Sequence, residues 1–347
     1  MDFTDILKKD IPKINSLIEK SIPRDLENWM DKISKKSEWE HDIEACNNSI
    51  SKPIWDLLDR GGKRWRPFLM ELSHHATGGH ENIDKFLPIP EIIHNGTLMI
   101  DDIEDNSETR RGKPCIHKIY GEDISINAGN MMYYISTIDI SKNELKTETK
   151  VKIYELINEE MIKLHFGQGM DIFWHRNEKV PNEKQYLQMC AYKTGTLARM
   201  SAKLGAILAN ASNERTNALG KFAESIGVAF QIQDDILNIS PGKDWGKDFG
   251  DDISEGKKTL LVIKALDEIN EERKKDLIDI LSLKTTNKIL IEKAIKTIKE
   301  TSAIKYSQNI AKAMVKKAWQ ELDDILEESE AKNKLKLLSE FITNREI

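Results

Sequence analysis

Apolar residues recur along the chain with the period of a helix, and the N-terminal region shows no strand-like alternation of useful length. Phe3, Ile6 and Leu7, then Ile14, Leu17 and Ile18, then Leu26, Trp29, Met30 and Ile33 carry that period through residues 3–34. Pro12 and Pro23 punctuate it and predict successive short helices, each with a proline near its first turn. Residues 38–50 are polar and favour no element. Ser51-Lys52-Pro53 opens a short helix through Trp55, Leu57 and Leu58, which Gly61-Gly62 stops. Further helical runs follow from Glu91, over Asn127–Ile140, over 150–172, over 183–210 and over Leu219–Ile239, and the chain beyond Thr259 is amphipathic and helical to its end. Gly167 and Gly169, inside one of these runs, cost about 1 kcal/mol each relative to alanine and predict a close approach by another helix or by ligand. Lys193-Thr194-Gly195-Thr196 predicts a kink, since threonine can bond back to the preceding turn. No linker, repeat or low-complexity segment divides the chain. The expectation is an all-α fold: one domain over 1–347, with N-terminal helices over 1–50, chemistry-bearing motifs over 61–259 and a C-terminal helical scaffold over 260–347.

Composition narrows the partners. The net charge of −6, with Lys and Arg spread along 347 residues, argues against nucleic acid while leaving room for local basic pockets. Cys46, Cys115 and Cys190 lie far apart, form no CxxC and read as free thiols in a reducing compartment. No apolar run approaches the roughly 20 residues that span a bilayer, and MDFTDILKKDIPK does not read as a signal peptide. A soluble cytoplasmic protein is expected.

The chemistry concentrates in Glu91–Pro114. Asp101, Asp102 and Asp105 crowd a helix end, and Asp101 and Asp105, four apart, share one face. Like charges there repel and the helix dipole opposes them, which a hard cation such as Mg²⁺ relieves. Arg110-Arg111 follows, a guanidinium pair suited to phosphate. Together they suggest a metal-bridged diphosphate; a solvated acidic helix end followed by a basic loop would read the same. Upstream, GGKRWRP sets Lys63, Arg64 and Arg66 behind two glycines at a helix entry, either an anion site or an ordinary helix junction. His94 lies seven residues before Asp101, on roughly the same face. Asp234, Asp235 and Asn238 repeat the first cluster's spacing with asparagine last, and Lys247 and Lys257 flank Asp251 and Asp252 in the loop beyond.

The stretches GGKRWRP, LMIDDIEDNSETRRGKPCIHKIYG, HFGQGMDIFW, YKTGTL, FQIQDDILN and DDISEGKKT, in that order, resemble the trans-isoprenyl diphosphate synthases, most closely the eukaryotic-type geranylgeranyl diphosphate synthases. The resemblance implies an isoprenoid-synthase bundle of a dozen or so helices around a central apolar cavity, and a homodimer or higher homo-oligomer. It implies that Asp101, Asp102, Asp105, Asp234 and Asp235 bind Mg²⁺, three ions per active site with substrate present. Arg110, Lys193, Lys247 and Lys257 would grip an allylic diphosphate (dimethylallyl, geranyl or farnesyl), and Lys63, Arg66, His94 and Arg111 isopentenyl diphosphate. Thr194 and Gln231 would line the reacting carbons. Asn238, where many relatives carry aspartate, points to a subfamily. Small Gly96 and Thr97 stand where farnesyl-producing enzymes often carry an aromatic stop, while Tyr133, Tyr134 and His165 match the bulky residues that limit length. The expected product is geranylgeranyl diphosphate (C20), with C15 or C25 and longer as alternatives. A class I terpene cyclase also uses an Asp-rich helix and Mg²⁺ but has no second anionic substrate, so GGKRWRP and Arg111 argue against it. A non-catalytic synthase subunit would typically have lost aspartates that are all present here.

Overall fold

The computed structural model describes residues 3–34, 39–240 and 249–344, and among them every regular element but one is helical. The exception is a two-stranded antiparallel hairpin pairing Thr109–Arg110 with Lys113–Pro114. Contacts group the chain into two compact units. One comprises the residues up to Glu71 with His80–Tyr154; the other comprises Leu72–Gly79 with the residues from Glu155 onward.

In the first unit, helix Phe3–Ser21 buries Leu7, Ile14 and Ile18 and packs on helix Pro88–Glu104. Pro12 sits inside that single helix, contrary to the expected pair of short ones. An interior proline costs about 3 kcal/mol, but burying three large aliphatics contributes about 1.5–3 kcal/mol each, so packing overrides the break. Pro23 does fall in a break. The polar stretch before Ser51 is also more ordered than its composition suggests. Asp42 caps helix Ile43–Cys46 by accepting from the Ala45 N–H at 2.9 Å, and the chain runs through a widened turn, Asn47–Ser51, into helix Lys52–Asp59. Ser51 holds the N-cap position of that helix, as expected, but its buried hydroxyl does not cap it and donates instead to the Arg24 carbonyl at 2.6 Å. Helix Pro88–Glu104 begins on Pro88, where a missing N–H costs nothing, and lies along helix Glu122–Ile135.

In the second unit, helix Gly195–Leu208 is buried almost all round, as its run of Gly, Ala, Ser and Leu requires, and packs along helix Asn213–Ile239. Tyr186, Cys190, Ile232, Ile236, Leu261 and Leu277 belong to the core beside it. The kink expected at Lys193–Thr196 is present: helix Glu183–Lys193 stops, Thr194 adopts φ −105°, and the next helix starts at Gly195. Glycines make the crossing possible. A Cβ on Gly227 would lie 2.7 Å from the Gly195 Cα, and one on Gly167 would lie 2.3 Å from the Lys193 nitrogen. Gly169, expected to mark a similar approach, has nothing within 4 Å. Beyond Thr259, helices Leu260–Glu268, Glu271–Leu283, Lys288–Lys299, Ala303–Asp323 and Glu330–Asn344 form the expected scaffold.

Candidate active site

The Asp-rich helix closes at Glu104, and the Asp105 N–H caps it by donating to the Asp101 carbonyl at 2.9 Å. Asp101 and Asp105 are half-buried, one turn apart on one face, as read from the sequence. Asp102 departs from its expected role as a metal ligand. It is 1% exposed, and its Oδ1 accepts from Arg110 Nε at 2.8 Å and from Arg110 Nη2. Burial pushes the Asp102 carboxyl up, against the pull of Arg110, and the guanidinium of Arg110 is held firmly charged by the pair. Asp102 thus orients Arg110, whose Nη2 lies 3.8 Å from Asp101 Oδ2.

The hairpin explains how two adjacent arginines reach different places. Its turn is Arg111-Gly112, with φ of +54° and +74°, the positive pair that a two-residue hairpin turn demands. Arg110 ends the first strand whereas Arg111 already lies in the left-handed turn, so the two side chains leave the backbone in different directions. Arg110 accordingly meets Asp102, while Arg111 donates from Nη1 to the Leu57 carbonyl at 3.1 Å and to the Gly61 carbonyl, and from Nη2 to Asn95 Oδ1 at 3.2 Å.

Arg111 lies near Arg64, Arg110 and Glu91, and acts with Arg66 on His94. Burial, with the charges of Arg64, Arg110 and Arg60, pushes its guanidinium down to about 10, and Glu91 opposes that shift. Half-buried His94 is driven well below its ordinary range by burial and then by Arg66, Arg111 and Arg110, so its imidazole is neutral. Arg66 is buried and stacks over Trp65 at 4.7 Å, and Lys63 is exposed at the loop. Arg64 behaves otherwise than its neighbours in GGKRWRP. It is 4% exposed and donates to Asn15 Oδ1 at 3.0 Å, Glu91 Oε1 at 2.8 Å and the Leu58 carbonyl at 2.9 Å. Gly62, at φ +150°, lets the loop lie on both arginines; a Cβ there would meet Arg64 Nη1 at 3.1 Å and Arg111 Nη2 at 3.5 Å.

The second unit supplies the other expected residues. Asp234 is half-buried. Asp235, also expected on the metal, is 4% exposed with both oxygens engaged: Gln231 Nε2 donates to Oδ1 at 2.8 Å and the Tyr186 hydroxyl to Oδ2 at 2.6 Å. Burial, then the Asp252 charge, pushes its carboxyl up to about 8. Gln231 in turn accepts from the Thr194 hydroxyl at 2.8 Å, so the two residues expected at the reacting carbons are joined. Lys193 pairs with Asp171 at 2.6 Å, and Lys257 pairs with Glu255 and lies 3.9 Å from Asp252. Asn238 is buried and accepts from the Asp252 N–H at 3.2 Å, fastening helix Asp251–Glu255. Lys247 lies outside the described residues. Among the described residues no three carboxylate, imidazole or thiol groups converge to cage a metal.

The residues expected to set chain length divide. A Cβ on Gly96 would meet the Gly129 carbonyl and the Met132 Cβ at 2.8 Å and Tyr133 Cε1 at 3.1 Å. Gly96 therefore serves the helix crossing and sets the Tyr133 ring beside it, rather than leaving open space for a tail. Thr97, half-buried, donates to the His94 carbonyl at 2.7 Å. Burial, then Glu104 and Asp101, raises the Tyr133 phenol above its ordinary range. Tyr134 is 73% exposed, and exposed His165 bonds the Met161 carbonyl at 2.8 Å.

The polyprenyl synthetase family model matches residues 47–298. This chain belongs to that family. It is 38% identical over 248 residues to the short chain isoprenyl diphosphate synthase of Methanocaldococcus jannaschii, covering 70% of this chain and 74% of that one. It is 32% identical over 296 residues to the geranylgeranyl diphosphate synthase of Sulfolobus acidocaldarius, covering 84% and 89%. The solved geranylgeranyl pyrophosphate synthetase of Pyrococcus horikoshii superposes with a TM-score of 0.85 at 32% identity, over 99% of this chain and 98% of that one. The family match encloses every site residue from Lys63 to Lys257. It also encloses Glu91, Asn95, Asp171 and Tyr186, which hold site residues in place and which sequence reasoning missed. Asp171 lies inside the quoted HFGQGMDIFW stretch, but nothing local announces that it reaches Lys193.

Proposed function

We propose that this chain is a Mg²⁺-dependent enzyme that condenses isopentenyl diphosphate with dimethylallyl, geranyl or farnesyl diphosphate and releases mainly geranylgeranyl diphosphate. As a member of the polyprenyl synthetase family it is a prenyltransferase. One observation carries the two-substrate reading: the hairpin parts Arg110, which joins the aspartates, from Arg111, which joins a cationic pocket holding neutral His94. One anion site has carboxylates for metal and the other has none, which a cyclase acting on a single diphosphate would not need.

Mg²⁺ held by Asp101, Asp105 and Asp234, three ions with substrate bound, would neutralise charge on the departing diphosphate. Arg110, Lys193 and Lys257, with Lys247, grip that diphosphate, and Asp102 and Asp171 aim two of these cations. Lys63, Arg66 and Arg111 hold isopentenyl diphosphate, with His94 adding a hydrogen bond and no charge. The allylic C–O bond breaks with its electron pair leaving on diphosphate. The isopentenyl double bond supplies the electrons of the new C–C bond, and the proton then lost passes to the released diphosphate. Thr194 and Gln231 line the reacting carbons, pinned by Asp235 and Tyr186. The small side chain of Thr97 supports growth past C15, and Tyr133 is the best-placed floor, with Tyr134 and His165 as further candidates. Exposed Ile162, Phe166 and Phe173 on one helix support a homodimer or higher homo-oligomer. The free thiols, Cys115 and Cys190 buried, suit the cytoplasm.

Incubation with farnesyl diphosphate, labelled isopentenyl diphosphate and Mg²⁺ should give labelled C20 diphosphate. EDTA should abolish the activity and added Mg²⁺ restore it. Asp101→Ala or Asp105→Ala should lower turnover on the order of a thousandfold without loss of fold. A cyclised hydrocarbon, or no incorporation of label, would refute the assignment; either variant within tenfold of wild type would refute the metal ligands.

A further inference from the structure

We infer that Glu91 and Asn95 are positioning residues for Arg111, and that they set how tightly the metal-free site holds its diphosphate. Glu91 is 2% exposed, buried on the Asp-rich helix among cations. Its Oε1 accepts from Arg64 Nη1 at 2.8 Å and from Asn95 Nδ2 at 3.2 Å, and Asn95 Nδ2 also donates to the Glu91 carbonyl at 2.8 Å. An ionised carboxylate can only accept, so the amide nitrogen of Asn95 must face Glu91. Its oxygen is then presented to Arg111 Nη2, 3.2 Å away. Without that carboxylate the amide is free to turn, setting donor against donor.

The consequence falls on the guanidinium. Arginine has five N–H donors. Both on Nη1 go to the Leu57 and Gly61 carbonyls, and one on Nη2 goes to Asn95. Among the described residues, the N–H of Nε and the second of Nη2 find no protein partner. Nε and Nη2 share one edge of the guanidinium, the edge that a phosphate takes bidentately. The protein contacts thus engage the Nη1 side of Arg111 and leave the Nε side for ligand. Arg64 anchors Glu91 from behind through Asn15 and the Leu58 carbonyl, and so ties this orientation to the GGKRWRP loop.

The inference rests on the two-substrate reading, and kinetics separate their failures. Asn95→Leu removes the acceptor while keeping shape and the Arg64–Glu91 pair. Its KM for isopentenyl diphosphate should rise about tenfold, as expected for losing one hydrogen bond to a charged group. Its kcat and its KM for the allylic substrate should stay within about twofold. Glu91→Gln, of the same shape but able to donate, should raise the same KM. The double variant should be no worse than Asn95→Leu, because both act through one amide. An unchanged KM for isopentenyl diphosphate, an equal rise in both KM values, or additive effects would overturn the inference. If both single variants fail to fold, the pair is scaffold and the inference is overturned as well. Wild-type protein that transfers no prenyl group would instead defeat the proposed function.

Discussion

Replacing buried Gly167 with alanine adds one methyl group against the Lys193 backbone, and it should cripple turnover. The added Cβ would stand 2.3 Å from the Lys193 nitrogen and 2.8 Å from the Lys193 Cα. An ordinary contact needs about 3.4 Å, so the Lys193 backbone must retreat by about 1 Å. It cannot retreat freely. The next residues of the kink are closed in by Gly227, whose own Cβ would lie 2.7 Å from Gly195. Overpacking of this kind costs about 1–3 kcal/mol, and the helical gain of alanine over glycine returns about 1 kcal/mol. The net loss of stability is therefore at most about 2 kcal/mol, and the variant should fold. Its catalysis should suffer more, because Lys193 and Thr194 carry the Asp171 and Gln231 contacts, and a displacement of about 1 Å can lower the rate about a hundredfold. Gly169→Ala is the control: with nothing within 4 Å, it should gain up to about 1 kcal/mol and keep full activity. Thermal melting and steady-state incorporation of labelled isopentenyl diphosphate read both quantities. A folded Gly167→Ala enzyme within threefold of wild type would refute the reasoning.

Tyr133→Ala should lengthen the product to C25 and beyond, because its ring lies beside Gly96 on the face of the Asp-rich helix, while Tyr134→Ala, with 73% of that residue exposed, should change product length less; product chromatography decides, and an unaltered C20 product from Tyr133→Ala would remove that floor. Asp235, with its folded carboxyl pushed up to about 8 from 3.8, binds more protons folded than unfolded across that window, so metal-free protein should lose stability as pH rises from about 4 to about 8. Asp235→Asn should remove that slope from a series of melting temperatures in EDTA, and an unchanged slope would place the titration elsewhere.

What was legible in the sequence was local. Helical periods, the Asp101–Asp105 face and the kink at Lys193–Thr196 depend on neighbours within a turn or two, and the chain states those directly. The capping of residues 43–46 by Asp42 was also local, yet the polar composition around it hid the signal. Pro12 was misjudged because the aliphatics that hold its helix straight gain their stabilisation only on burial.

Tertiary structure alone decided which of the charged residues are buried against a protein partner and which stay half-buried. Asp101 and Asp102 are adjacent and chemically identical, but Asp101 is half-buried whereas Asp102 is buried and must be paired, and Arg110 supplies the partner. Asp235 went the same way through Tyr186, 49 residues away, and Arg64 through Glu91, 27 residues away. Partners that distant leave no periodic trace, because a buried polar group is satisfied by whatever the fold brings to it. The charged motifs were therefore written in the chain; which of their members are locked to other residues came from burial.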